Sequence, residues 1–584
     1  MDHFIKGGAF LREASEPQHI YTAEDFTSEH KLIAETVAGF IARKVTPRMN
    51  TLEEKNAALI SELISELGAL GLLSADIPEQ YGGIDVDKIT SVIIAEEMGR
   101  AGSFAIAHGC QVGIGSLPIV YFGNDAQKSK YLPDVASGKR RAAYALTEPD
   151  AGSDALAITT KAILSTDGKF YMLNGTKQFI SNAGFSDIFI VFAKIDENKF
   201  SAFIVDGNSE GVSTGEEEKK MGIRGSSTRT LFLDDAKVPV ENLLFEVGRG
   251  HVVAFNILNM GRMKAAANCL GSAKYALELS AVYANDRRQF KTPISQFGMI
   301  QEKIAEMAQR IYASESMLYR TAGLIDDMMK RLDITGPDGG RIIAKGIEEY
   351  AIECSLNKVF TTEVLAYVVD EGVQIHGGYG FIAEYPIERL YRDARIFRIF
   401  EGTNEINRTL IPALLMRKEG KETFLLLDVI ASITKSIDSG LPDRVDTGDL
   451  VQAAKDVFFF SLGAALEKYG DALLKEQEII GRLADIAINA FAMESAWLRA
   501  KKAESKEGEK AAGRKMKMAK AFSYSSIEKI GLWASQVLSA AATGKDLLRL
   551  RGRLDDLMKY MPIDGIAINR EIAAEISAAG KYIL

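Results

Sequence analysis

Apolar residues keep helical spacing up to about residue 143, abandon it between 144 and 246, and resume it afterwards. Upstream, Leu32, Ile33, Val37, Phe40 and Ile41 fall on one helical face, as do Leu59, Ile60, Leu63, Ile64 and Leu67. A turn at Ile77-Pro78-Glu79-Gln80-Tyr81-Gly82-Gly83 leads into a helix at Ile89–Met98. Inside the break, apolar and aromatic runs flank Asn174-Gly175. Both residues tolerate positive φ, so a hairpin is expected there. Strands are expected at Ile188–Ile195, Ser201–Val205 and Thr228–Leu233. Long helices follow at His251–Asn285, Phe297–Asp326, Gly340–Asp370 and after Thr403, with loops at 335–340 and 377–380. The expected fold is α+β, mainly α, with an N-terminal helical domain (1–143) and a middle antiparallel β domain (144–246). A helical bundle (247–418) and an additional C-terminal helical domain (419–584) complete it.

Composition excludes more than it selects. A chain of 584 residues is long for one core. Net charge is -9 and no basic face or arm stands out, which argues against nucleic-acid binding. Cys110, Cys269 and Cys354 lie far apart, as expected of reduced thiols, and no histidine pair has metal-ligand spacing, so no metal is expected. Met1–Lys6 lacks a basic region followed by an apolar core, so no signal peptide is expected. The longest apolar run read from the sequence, Val457–Leu466, is short for a bilayer, and a cytoplasmic location is expected. Leu450–Leu466 reads as the core of a helical domain in preference to a membrane-surface helix, because its flanks are not enriched in basic residues. Lys501–Lys520, dense in both charges, reads as a solvated helix face or loop.

One carboxylate stands out. Ile399 and Phe400 precede Glu401, and apolar surroundings raise a carboxyl pKa towards the range of a general base. Gly402 permits close backbone approach, and Thr403 is placed to cap a helix Asn404–Met416 whose free N–H groups favour an anion. The competing reading is a solvated loop glutamate. Arg287 carries a planar fork suited to a pyrophosphate, although after Asn285-Asp286 it could equally be a surface charge.

Four stretches occur in order: Tyr144-Ala145-Leu146-Thr147-Glu148-Pro149-Asp150-Ala151-Gly152-Ser153-Asp154, then Gly175-Thr176-Lys177-Gln178-Phe179-Ile180-Ser181-Asn182, then Arg287-Arg288-Gln289-Phe290, then Gln374-Ile375-His376-Gly377-Gly378-Tyr379-Gly380 leading to Glu401-Gly402-Thr403. Over roughly residues 25–415 the chain resembles the acyl-CoA dehydrogenase family, a resemblance to which Ile77–Gly83 adds support. That resemblance implies FAD as cofactor, contacted by Tyr144, Leu146, Thr147, Phe179, Ile180, Ser181 and Thr403. It implies that Arg287, Phe290, Gln374, Gly377 and Gly378 hold the adenosine diphosphate part across a subunit interface, with His376 a packed loop histidine. It assigns acyl-CoA to Ser153, Asn259, Arg262, Phe400 and Gly402, with Arg262 near the adenine end of CoA. Glu401 would then be the base that removes the α-proton while the β-hydride passes to the flavin. Phe179 stands where tryptophan is usual in the family. Gly261, where some members carry the base, has no side chain to act.

Glu405 and the C-terminal segment resemble the very-long-chain branch. They imply a homodimer acting on long-chain acyl-CoA, with electron-transferring flavoprotein as electron acceptor. An acyl-CoA oxidase, or a scaffold role for the C-terminal domain with possible membrane contact, are the alternative readings.

Overall fold

The computed structural model describes residues 5–334, 336, 338–419, 423–441 and 444–584; residues 1–4, and Thr335 and Pro337 of the expected loop, lie outside the described residues. The central sheet is built from β1 (Ala142–Ala145), β2 (Lys161–Leu164), β3 (Phe170–Ser181), β4 (Ile188–Ile195), β5 (Lys199–Asp206), β6 (Val212–Thr214), β7 (Thr228–Pro239) and β8 (Leu243–Leu244). Its order is β6-β7-β3-β2-β4-β5-β8, and β1 also pairs with β4. Most ladders are antiparallel, as expected, but β4 pairs in parallel with both β1 and β2, so the sheet is mixed at its centre. The continuous apolar run Ile188–Ala193 is buried throughout, as a central strand covered on both faces requires.

The hairpin expected at Asn174-Gly175 does not form. β3 runs straight through it, and its register on β7 slips between Leu173 and Gly175. Asn174 and Asp235 exchange two hydrogen bonds of 2.9 Å across the slip, which pins a bulge. A Cβ on Gly175 would stand 2.4 Å from Thr160 Oγ1, so glycine is needed for close approach, not for a turn. The turn lies earlier, where Gly168 (φ 70°) donates to Ser165 O and joins β2 to β3.

The helical bundle that follows the sheet contains α1 (Gly250–Asp286), α2 (Gly298–Arg331), α3 (Ala351–His376) and α4 (Asn404–Glu419). The helix expected at Gly340–Asp370 is split at Tyr350 into Gly339–Glu349 and α3. Helix α1 packs against α3, α2 and the helix Lys88–Met98, which explains why it is buried on nearly every face. Beyond it, α5 (Thr447–Tyr469), α6 (Gln477–Glu507) and α7 (Glu509–Ala541) bury Leu450, Val457, Phe458 and Leu462 in a helical core. Gly508, at φ 85°, breaks the Lys501–Lys520 stretch between α6 and α7, and Lys502 within it is buried.

Among the described residues one helical run, Ser103–Phe122, is longer than the Val457–Leu466 run read from the sequence. It is long and apolar enough to cross a membrane by length and composition, yet 83% of it is buried inside the protein, where an apolar surface is equally required. Residues 5–26, unassigned from the sequence, form a strap. Gly8 N–H donates to Glu353 Oε1 (2.6 Å), and Ser15, Ile20 and Glu24 accept from Arg320, Lys502 and Arg499 respectively.

Candidate active site

Glu401 and Gly402 are consecutive left-handed residues, at φ 57° and 79°. For a glutamate this conformation costs on the order of 1–2 kcal/mol, so the surroundings must hold it. Arg262 of α1 donates from Nε to the Glu401 carbonyl (3.2 Å). Lys358 of α3 donates to the Gly402 carbonyl and to Asn404 Oδ1, both at 2.7 Å. Asn407 Nδ2 adds a second bond to the Gly402 carbonyl (2.9 Å). Thr403 Oγ1 accepts from the Ile406 N–H (3.2 Å) and so caps α4.

The carboxyl group of Glu401 is enclosed although the residue as a whole is only half-buried: Oε2 is buried and accepts no hydrogen bond. A Cβ on Gly261 would lie 2.4 Å from that oxygen. The glycine therefore leaves the space that the carboxyl fills. Burial pushes the Glu401 pKa up to about 7, against the pull of Arg262 and Lys358. Two further groups face this charge. Burial, and then Glu401, raise the Tyr144 phenol well above its ordinary value and the Cys110 thiol to about 12.

The two polar stretches expected at a cofactor run side by side. Gln178 N–H donates to the Thr147 carbonyl (2.8 Å), and Lys177 Nζ reaches the Leu146 carbonyl (3.3 Å) and Glu148 Oε1 (2.7 Å). Burial raises the Glu148 pKa, but Lys177, the N–H group of Thr159 and the hydroxyl of Thr160 outweigh it and leave it at about 2. This buried pair fixes the end of β1 to β3. Phe179, at φ 58°, presents its ring outward and is 62% exposed. Ile180 is 2% exposed and packs its side chain in the sheet core. Tyr144 and Leu146 are likewise buried, with Tyr144 edge-on to Phe192, while Ser181 is half-buried and Ser153 is exposed.

Arg262 is 7% exposed, and its guanidinium is held by Glu401 O and Asn259 Oδ1 (2.8 Å). Asn259 is buried as its partner. Phe400 packs edge-on to Phe397.

A second cluster forms at the C-terminal ends of α1 and α3. Arg287 lies over the Tyr379 ring, and Tyr283 stacks on His376, whose Nδ1 bonds the Gly372 carbonyl (2.7 Å). Gln374, Gly377 and Gly378 are exposed, with open space around both glycine α-carbons. Phe290 is 91% exposed. Among the described residues no hydrogen bond or ring contact joins this cluster to Glu401. Sequence reading missed Lys358, Asn404 and Asn407; the one signal available was a lysine inside the apolar run of α3. Among the described residues no group of three or more His, Cys, Asp or Glu could hold a metal ion.

Residues 27–139, 143–236 and 248–416 match the N-terminal, middle and C-terminal domains of acyl-CoA dehydrogenase, and residues 453–552 match a further acyl-CoA dehydrogenase C-terminal domain. A probable acyl-CoA dehydrogenase of Bacillus subtilis is 51% identical over 99% of this chain and 98% of its own. The chain belongs to the acyl-CoA dehydrogenase family. The crystal structure of an acyl-CoA dehydrogenase complexed with FAD from Bacillus anthracis superposes with a TM-score of 0.97 at 50% identity, covering 99% of this chain and 100% of that one. The mitochondrial very long-chain specific acyl-CoA dehydrogenase of Rattus norvegicus is 37% identical over 78% of this chain and 72% of its own. The family's extra C-terminal domain thus accounts for much of the segment from α5 to α7.

Proposed function

We propose that this acyl-CoA dehydrogenase converts long-chain acyl-CoA to trans-2-enoyl-CoA in β-oxidation, as a homodimer, with electron-transferring flavoprotein as acceptor. The observation that carries the reaction is the enclosed Glu401 carboxyl, with an unpartnered oxygen and a pKa raised to about 7. Such a group is ionised in part at neutral pH and is a stronger base than a surface carboxylate. It has no hydrogen bond to break before it accepts a substrate α-proton. The Glu401 backbone N–H, which makes no hydrogen bond among the described residues, is available to a thioester oxygen, where it would stabilise developing enolate charge.

The residues suit FAD. Phe179 offers an exposed ring face beside the polar backbone of Thr147 and Ser181, and Arg287 with open Gly377 and Gly378 suits a diphosphate. Bound FAD supplies a two-electron acceptor for the substrate β-hydride. The separation of the Arg287 cluster from Glu401, and the exposure of Phe290, support a site completed by a second copy. Glu405 and the similarity to a very long-chain specific enzyme support long substrates.

The test is anaerobic bleaching of the protein's flavin by acyl-CoAs from butyryl to stearoyl. Fast bleaching by long chains, reduced about 10³-fold in Glu401→Gln, is expected. Equal bleaching by the variant would remove Glu401 from the reaction, and peroxide formation in air would point to an oxidase.

A further inference from the structure

We propose that Lys358 is a positioning residue for the base: it holds the left-handed Glu401-Gly402 turn through the Gly402 carbonyl, and its ammonium charge favours the ionised carboxylate. The inference rests on Glu401 acting as the base.

Five lysines are buried among the described residues: Lys177, Lys264, Lys358, Lys455 and Lys502. Four have a carboxylate partner at 2.5–2.7 Å, namely Glu148, Asp76, Glu494 and Asp25. That is the ordinary way to bury an ammonium group. Lys358, 0% exposed, is bonded instead to two neutral acceptors, Gly402 O and Asn404 Oδ1. Asn404 is oriented for this task, because its Nδ2 donates to Thr362 Oγ1 (3.1 Å) and Glu363 Oε1 (3.0 Å), leaving Oδ1 towards the lysine.

The charges around Lys358 leave it one carboxylate to serve. Those that act on it are Glu401, Arg262 and Glu363, since burial raises the Cys269 thiol well above its ordinary value and keeps it uncharged. Glu363 is already paired through both oxygens with Arg408 at 2.7 and 2.9 Å. Arg262 is committed to Glu401 O and Asn259. Glu401 is faced by Arg262 from α1, Lys358 from α3, and Tyr144 and Cys110 from the side of β1. Burial lowers the Lys358 pKa and raises that of Glu401, while the charge of each favours the charged form of the other.

The experiment follows the anaerobic bleaching rate of the holoenzyme by a long-chain acyl-CoA across the neutral pH range. It compares wild type with Lys358→Met, Lys358→Gln and Lys358→Arg, and takes melting temperatures alongside. Removing the cation should move the acid limb of the rate profile upward by about 0.5–1 pH unit in both neutral variants. Bleaching near neutrality should fall by about 10–100-fold, with the concentration of substrate giving half-maximal rate largely unchanged. Lys358→Arg, which keeps the charge, should hold the midpoint near wild type. Lys358→Gln retains a donor for the Gly402 carbonyl, so it serves if Lys358→Met does not fold. A role in packing alone would lower the melting temperature of the variants and leave the midpoint where it was, and that result overturns the proposal. If Glu401→Gln bleaches as fast as wild type, the base assignment itself has failed; if it does not, an unmoved midpoint counts against Lys358 alone.

Discussion

At the scale of single residues, the site turns on one carboxyl and the space left for it. Glu401 titrates at about 7 in the folded chain against 4.5 unperturbed, because burial penalises its charge. Bleaching by acyl-CoA should therefore rise with pH through about 7 and level above it. Stability runs the other way. A carboxyl whose folded pKa is raised contributes fully below its unfolded pKa, and that contribution is lost as pH rises through the folded value. The loss is on the order of 3 kcal/mol, and Glu401→Gln should melt higher than wild type at about pH 8 with no such gain at about pH 4. Equal differences at both values would show that the carboxyl is not desolvated. Gly261→Ala tests the same space from the opposite wall: its Cβ, 2.4 Å from Oε2, must displace the carboxyl. A bleaching rate about 100-fold lower, with the fold intact by circular dichroism, is expected. The enclosure of Glu401 was suggested by its apolar neighbours, whereas Gly261 drew attention only through the family resemblance. Lys358 was not, since nothing in the pattern of α3 tells which carbonyl a buried ammonium meets.

At the scale of elements, helices were legible and the sheet was less so. Apolar spacing marked α1 and α2 to within a few residues, because a 3.6-residue period is a local property. Asn174-Gly175 shows the limit. A pair that tolerates unusual backbone angles serves a turn or a bulge equally, and the choice is made by Asp235 and Thr160, which are distant in sequence. Gly168 performs the turn instead. Gly175→Ala forces its Cβ onto the backbone of Thr160, at 2.8 Å from Cα, whereas Gly168→Ala meets open space and only the strain of its φ of 70°. Gly175→Ala should accordingly cost about 2–3 kcal/mol, and Gly168→Ala about 1 kcal/mol, by urea denaturation. The reverse ranking would return the turn to Asn174-Gly175. Because β3 carries Phe179 at its end, the Gly175 variant should also weaken flavin retention on dilution, which the Gly168 variant should not.

At the scale of the whole molecule, the strap and the C-terminal helices are joined to the bundle by buried charge. Arg499 of α6 is 1% exposed and donates to Glu24 of the strap (2.9 Å) and to Glu315 of α2 (2.6 Å). Glu315 also receives Lys274 of α1 and, at 2.8 Å, the hydroxyl of Tyr582 near the C-terminus. Arg320 of α2 meets Glu494 of α6 at 2.9 Å, with each side chain 3% exposed. None of these partners is close in sequence, so the network could not be read from spacing, although the additional helical domain itself could. A buried ion pair adds little net stability over an apolar replacement of both partners, but removing one partner strands the other. Arg499→Met should thus cost about 3–5 kcal/mol. The double change Arg499→Met with Glu24→Gln should recover part of that, because one stranded carboxylate is then neutral. Thermal unfolding of the two variants measures the difference. If the single change costs nothing, the Arg499 network is not what holds the helices beyond α4 to the bundle, which leaves Arg320–Glu494 and apolar contact, and a chain ending before α5 loses little with that network. If it costs as stated, such a chain exposes Arg320 and Glu315 on a face of α2 shaped for burial. It should then collect in the insoluble fraction, so the additional domain is part of what makes the bundle stable and not an appendage to it.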